Sequence, residues 1–307
     1  MLKMKELAIC LDVGGTFIKG AIFSNEFKKK YTDIHYYPAN STAPKEEIFK
    51  NFKYIFFDLL EPYDEQVWRV EKIAIAFPGP FDYENGISMI KDLNKFDQLY
   101  GINLAESFKT IISSDKRFCK TDLFFENDAV AFALGENAYS DASRGAYFTI
   151  GTGLGSTFIE DQRRVIGQQG IPSTGMIFNE VFQKSIIDDY ISARGLESLI
   201  ERKYFEKISG AELFTQAESG SQDAKLVFKE FGGLICEAIR PYIEIFQPEE
   251  ICFGGQISKS FKYFGQELEK EFGNDCVIRV SKDTTLRTLE GLFIIKNGEE
   301  NIYEKIQ

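Results

Sequence analysis

The sequence predicts an α/β protein built from two similar domains. Three observations carry that prediction. An apolar run (Leu7 to Leu11), a turn holding Gly14, Gly15 and Thr16, and a second apolar run (Ala21 to Phe23) make a strand–turn–strand unit. Gly145 to Ile150, Gly151 to Gly155 and Ser156 to Ile159 repeat it, which reads as an internal duplication. Elsewhere short apolar runs alternate with helical patterns, the order expected when strands pair in parallel. The chain has 307 residues, above the size where one core usually stops growing.

Taken in order, the first hairpin spans Leu7 to Ser24 and ends in a polar turn, Asn25 to Lys30. A third strand is expected within Tyr31 to Tyr37. From Lys45 the period changes: Ile48, Phe49, Phe52, Ile55, Phe56, Leu59 and Leu60 share one helical face, and Pro62 closes the helix. Ile73 to Phe77 reads as a buried parallel strand broken at once by Pro78-Gly79-Pro80. A polar excursion, Phe81 to Asn94, leads to a helix over Leu104 to Ile112. A strand at Leu123 to Glu126 then runs into Asn127-Asp128 and an Ala-rich helix, Ala129 to Ala138. After the second hairpin, 167–175 is Gly-rich and irregular. Long helices are expected over Phe182 to Lys207 and Ala224 to Phe246, the second kinked or divided at Pro241. Strands at Ile251 to Phe253 and Val277 to Val280 and a helix over Thr285 to Lys296 finish the pattern.

Composition narrows the function classes. With 44% hydrophobic and 14% aromatic residues the chain can bury a large core, which argues against disorder. The net charge of -11 disfavours nucleic acid and anionic membrane as partners. No stretch reaches transmembrane length, and the first residues do not read as a signal peptide. Cys10, Cys119, Cys236, Cys252 and Cys276 are scattered, with no C-x-x-C pair. They read as buried thiols in a reducing, cytoplasmic setting, and no structural zinc site is expected.

The two Gly/Thr turns carry chemistry. Glycine lets backbone approach a ligand closely, and exposed N–H groups with a Thr hydroxyl can receive phosphate oxygens. Asp12, at the strand end, could orient a divalent cation or its water shell. An ordinary hairpin capped by an Asp would have the same residues. Asn127-Asp128 could equally cap the helix that follows.

Four segments, Asp12 to Gly20, Glu126-Asn127-Asp128, Gly151 to Gly155 and Gly254-Gly255, resemble in order and spacing the ROK family of repressors, open reading frames and kinases. The resemblance covers roughly residues 7 to 296. It implies the actin-like, ribonuclease H-like ATPase fold, with two α/β domains facing each other across a cleft. The first domain would span 1–125, with a C-terminal helix at about 284–307 packing back on it, and the second 126–283. It also implies an ATP- and magnesium-dependent kinase acting on the primary hydroxyl of a hexose, as a glucokinase does. N-acetylmannosamine or another amino sugar is the alternative acceptor, and a non-catalytic sugar-binding protein the alternative function. Small-molecule sugar and ATP are the implied partners, and the resemblance leaves room for a homodimer. The family's repressors carry a winged helix-turn-helix ahead of the kinase-like body. The first phosphate-loop strand starts here at about residue 7, which leaves no room for one.

By the same resemblance Asp12, Gly14, Gly15, Thr16 and Lys19 would meet the ATP phosphates, with Asp12 holding magnesium through water. Gly151, Thr152 and Gly153 would form the second phosphate loop, and Gly254 and Gly255 would pass under the adenosine. Asp128 matches the catalytic base. Pro78, Gly79, Asn94 and Asn127 match sugar-binding positions. The chain departs from the family where a Glu-x-Gly-His segment and zinc-binding cysteines usually follow the second loop, since Gly167 to Met176 holds neither Glu nor His. Thr174 is the nearest replacement for the missing Glu. Asp188 stands where many members have a further sugar-contacting Glu, and Asp189 could serve instead.

Overall fold

The computed structural model describes residues 4–204 and 208–295. By their internal contacts these residues divide into two units, 4–135 with 285–295, and the described part of 136–284.

The first unit opens with β1 (Lys5–Val13), β2 (Phe17–Phe23) and β3 (His35–Pro38). α1 (Lys45–Leu60) and β4 (Trp68–Ala76) follow, then a small hairpin of β5 (Phe81–Asp82) and β6 (Ile87–Ser88). α2 (Leu104–Ile112), β7 (Asp122–Glu126) and α3 (Asp128–Asn137) complete the run. The sheet order is β3-β2-β1-β4-β7, antiparallel between β1 and β2 and parallel from β1 through β4 to β7. Side chains alternate across a strand, and here the two faces differ in size. Leu7, Ile9, Leu11, Ile73 and Ile75 face the helices that bury Ile48, Phe52, Phe56, Leu104 and Phe108. Ala8, Cys10, Ala74 and Ala76 face the other way. The run I-A-I-A-F thus reads as large side chains into one core and small ones into another. Each fully buried Phe contributes about 2 kcal/mol of transfer free energy.

The second unit holds β8 (Arg144–Ile150), β9 (Leu154–Glu160), β10 (Arg163–Arg164), β11 (Val181–Phe182) and β12 (Ser185–Ile186). It continues with α4 (Ala193–Tyr204), α5 (Gly210–Glu218), α6 (Gln222–Phe246), β13 (Glu250–Gly254), α7 (Phe261–Phe272) and β14 (Val277–Val280). Its sheet order is β10-β9-β8-β13-β14, again an antiparallel hairpin continued by parallel strands. Phe148, Phe253, Phe231, Phe246 and Phe264 lie in its core. The last described helix, α8 (Thr284–Ile294), returns to the first unit, where Leu289 and Leu292 pack with Ala8, Cys10, Ala74 and Ala131. Glycine makes that approach possible: a Cβ on Gly291 would stand 1.8 Å from the Ala131 carbonyl oxygen, and one on Gly135 equally close to that of Arg287. The remainder of the expected C-terminal helix, 296–307, lies outside the described residues.

Several sequence expectations need correction. The helix expected over Phe182 to Lys207 starts only at Ala193. Before it stand the β11–β12 hairpin and a 3-10 turn at Ile187–Asp189. The hairpin turns at Gln183, φ 50°, without the Asn-Gly signal that usually marks such a turn. Residues 205–207 lie outside the described range. α5 and α7 were not anticipated, although Ser209 and Glu212 form a capping box that signals the start of α5. Pro241 does not divide α6, which runs unbroken to Phe246. The third strand, expected within Tyr31 to Tyr37, is the shorter His35–Pro38 and runs one residue past Tyr37. Cys119 is exposed rather than buried.

Candidate active site

The predicted residues form two groups, one in each unit. In the first, β1 and β2 are joined by Gly14, Gly15 and Thr16, with Val13 paired to Ile18. The Gly14 N–H donates to the Phe17 carbonyl (2.9 Å), and the Ala39 N–H donates to the Thr16 carbonyl (2.9 Å). Gly15 and Thr16 are exposed at the tip. The Ser41 hydroxyl donates to the Gly15 carbonyl at 2.6 Å and fixes the turn from the side. Beneath it the Lys19 ammonium donates to Asp12 Oδ2 at 2.8 Å.

Asp128 opens α3 directly after β7, a neighbour of β4 in the same sheet. Asn127 is the cap: its Oδ1 accepts from the Ala129 and Val130 N–H groups at 2.9 and 3.3 Å. Its amide nitrogen donates to the Tyr83 hydroxyl at 3.4 Å, and that hydroxyl donates to the Phe77 carbonyl. Gly79 lies against the same hydroxyl, 3.5 Å from where a Cβ would stand. Tyr83 therefore links Asn127 to the Pro78-Gly79 turn at the end of β4. No motif in the sequence pointed to it.

The Asp128 pKa is raised above the ordinary carboxylate value. Partial removal from water is the main cause, and the negative charge of Asp12 adds to it. The Ala129 N–H and the Lys95 charge act in the opposite direction. The residue keeps an exposed surface, so water screens part of this effect. A helix N-terminus alone would favour the anion. Here desolvation and Asp12 outweigh it, which leaves a more basic carboxylate.

Asn94 is exposed and adopts a left-handed backbone, φ 55°. Its neighbour Lys95 was not singled out in the sequence, yet its side chain lies along Gly15, with Cδ 3.7 Å from a Cβ placed there.

In the second unit, β8 and β9 are joined by Gly151, Thr152 and Gly153, with Ile150 paired to Leu154. The Gly151 N–H donates to the Gly153 carbonyl (3.0 Å), and the Ala193 N–H donates to the Gly151 carbonyl (2.8 Å). Asp188 braces this turn: its Oδ1 accepts from the Leu154 N–H at 2.6 Å, and its Oδ2 pairs with Arg194 at 2.9 Å. Gly254 ends β13, the parallel neighbour of β8, and Gly255 follows it. Gly255 has φ +88°, and a Cβ there would meet the Ile150 carbonyl oxygen at 2.4 Å, so only glycine fits. The Gly255 N–H donates to the Thr284 hydroxyl at 3.0 Å. Ligands in open α/β sheets bind beyond such carboxyl ends. Thr174 is exposed, with its hydroxyl taken up by the Met176 backbone. Among the described residues no group of three or more His, Cys, Asp or Glu side chains could hold a metal ion. No helix among them is long and apolar enough to cross a membrane.

The model of the ROK family matches residues 8–287. The chain belongs to the ROK family. It is 26% identical over 284 residues to an N-acetyl-D-glucosamine kinase of Haemophilus influenzae, covering 85% of this chain and 87% of that one. It is 27% identical over 300 residues to a glucokinase of Thermotoga maritima, covering 88% of each. The ROK hexokinase of Thermus thermophilus superposes with a TM-score of 0.72 at 17% identity, over 93% of this chain and 96% of that one. The two mixed sheets are therefore those of the actin-like ATPase fold.

Proposed function

We propose that the chain transfers the γ-phosphoryl group of ATP to the primary hydroxyl of a hexose, with an N-acetylhexosamine as the alternative acceptor. One observation carries this reading. A Gly-Gly-Thr turn, Asp12 and Asp128, whose pKa is raised in part by the charge of Asp12, belong to one unit of a ROK-family chain. The named relatives, an N-acetyl-D-glucosamine kinase and a glucokinase, support a sugar acceptor and leave both classes in play.

In this reading the sugar O–H gives its proton to Asp128 as the sugar oxygen bonds the γ-phosphorus. The bond to the bridging oxygen breaks, and its electron pair stays on ADP. The exposed Gly15-Thr16 tip of the first turn would offer backbone N–H groups and a hydroxyl to phosphate oxygens, where charge must be stabilised. Asp12 would hold magnesium. It fits that role as the single, largely buried carboxylate such an ion takes from a protein when waters and phosphates fill its other positions. The ion supplies charge neutralisation at the phosphates. Asn127 spends its carbonyl oxygen on the helix cap and one amide hydrogen on the Tyr83 hydroxyl, which leaves its second amide hydrogen for a sugar hydroxyl. Asp188, placed as a brace, competes with its assignment as a sugar contact.

The test is turnover of glucose, mannose, fructose, allose, N-acetylglucosamine and N-acetylmannosamine with Mg-ATP, run on the unmutated chain and on Asp128→Asn. The variant is expected to bind sugar normally and lose roughly 100-fold or more in kcat, with KM little changed. An unmutated chain inactive on every sugar would favour a binding protein. A fully active variant would reduce Asp128 to a helix residue.

A further inference from the structure

Lys95 sits in a strained loop. Asp92, Asn94 and Phe96 have φ of 59°, 55° and 56°, three non-glycine residues in the left-handed region within five positions. Such backbone persists only where its surroundings over-determine it, and it gathers at functional sites. The surroundings are visible here. Phe96 is fully buried, and its N–H donates to the Ser41 carbonyl at 2.6 Å. The Leu93 N–H donates to Asp97 Oδ1 at 3.0 Å. Ser41 is the same residue whose hydroxyl holds the Gly15 carbonyl. One buried serine therefore fixes both the first Gly/Thr turn and the loop that carries Lys95.

The result is a half-buried lysine whose stem lies along Gly15. Among the described residues its ammonium makes no hydrogen bond or ion pair, whereas Lys19, in the same cluster, is held by Asp12 at 2.8 Å. A cation drawn partly out of water normally finds a partner. A loop this constrained holds its cation beside a turn whose Gly15 and Thr16 are exposed, a place that suits an anion.

We propose that Lys95 is a catalytic residue whose ammonium contacts the oxygens of the transferred phosphoryl group at the Gly14-Gly15-Thr16 turn. The proposal rests on the kinase reading above and adds a residue to it. Charge on a transferring phosphoryl group is spread over its peripheral oxygens, and a fixed cation there needs no reorganisation during the reaction. Lys95 neither takes nor gives a proton: the sugar proton goes to Asp128, and the leaving electron pair goes to ADP. The Lys95 charge also favours the ionised form of Asp128, which keeps the base ready.

Lys95→Met keeps the stem on Gly15 and removes the charge, and Lys95→Arg keeps a charge. With full-length protein, Mg-ATP and the best sugar of the panel, Lys95→Met is expected to lose roughly 100-fold in kcat. The KM for sugar should stay within about twofold and the melting temperature should not change, while Lys95→Arg recovers most of the rate. Three results would overturn the proposal. One is a Lys95→Met variant with unmutated kcat. Another is a loss confined to sugar KM, which would make Lys95 a sugar contact. The third is a lowered melting temperature with both KM values raised, which would make it structural. An active unmutated chain with an indifferent Lys95→Met variant overturns this proposal alone. An unmutated chain with no turnover on any sugar overturns the kinase reading and takes this proposal with it.

Discussion

The two sheets share an order, an antiparallel hairpin continued by parallel strands, yet their second faces are built on opposite principles. In the first unit that face is small and apolar. Ala8, Cys10, Ala21, Ala74 and Ala76 receive Leu289 and Leu292 of α8, and Gly135 and Gly291 let α3 and α8 come into backbone contact. In the second unit the equivalent strands carry charge. Arg279 of β14 donates to both carboxylate oxygens of Glu250 on β13 (2.7 and 2.8 Å) and to Glu136 near the end of α3. Tyr147 of β8 joins through Asn137 (3.0 Å) and Glu250 (3.4 Å). The repeat in topology therefore depends on the large side chains of one face only. The other face is a close-packed seam in the first unit and a partly buried ionic network in the second.

Breaking each face should expose the difference. The largest stability effect is expected from Arg279→Met, which leaves Glu136 and Glu250 facing each other with little water. The cost should be about 3 kcal/mol, the low end for a broken buried pair, because Arg279 keeps 29% of its side chain exposed. Urea unfolding would measure it, with hydrogen exchange assigning the loss to β13 and β14. Adding Glu136→Gln and Glu250→Gln should restore much of the stability. An unmoved midpoint in the single variant would mean that the network is not held together by charge. Gly291→Ala comes next. Its Cβ would sit 1.8 Å from the Ala131 carbonyl oxygen, so α8 must move away from α3. A net loss of about 2 kcal/mol is expected, overpacking outweighing the roughly 1 kcal/mol that Ala gains over Gly in a helix. A stabilised variant would show that the seam is loose enough to breathe.

How far the sequence could be read follows the same division. The hairpins, α1, α2 and the parallel strands were legible because period and turn glycines are local signals. Large-and-small alternation in I-A-I-A-F was visible too, but its meaning needed α8, which arrives some 200 residues later in the chain. The β11–β12 hairpin was hidden because Gln183 takes a left-handed turn without the usual residue. Among site residues, those in named turns could be found. Ser41, Tyr83 and Lys95 could not, since each acts through a tertiary contact that leaves no pattern at its own position. Asp188 was legible as a candidate sugar contact, but its acceptance of the Leu154 N–H, which braces the second turn, leaves no pattern in the sequence.

The smallest expected effect concerns Asp128 and runs against the habit of carboxylates. Its folded pKa lies above the ordinary value, because of desolvation first and Asp12 second. Ionising it therefore costs more in the fold than in the unfolded chain. Its contribution to stability is greatest below about pH 4, where the group is neutral in both states, and is lost as pH rises through the folded pKa. At neutral pH the carboxylate is a liability. Asp128→Asn, uncharged and still able to accept from the Ala129 N–H, should be the more stable protein at pH 7. Because the side chain is exposed, the gain should be only about 1–2 °C in Tm, and it should vanish near pH 4. A variant less stable at pH 7 would mean that Asp128 serves the helix more than the reaction. A gain independent of pH would remove the electrostatic account. The same raised pKa should appear in unmutated enzyme as an acid limb of kcat/KM lying above the ordinary carboxylate value. If Asp128 is the proposed base, the stability cost and the acid limb are two measurements of one charge.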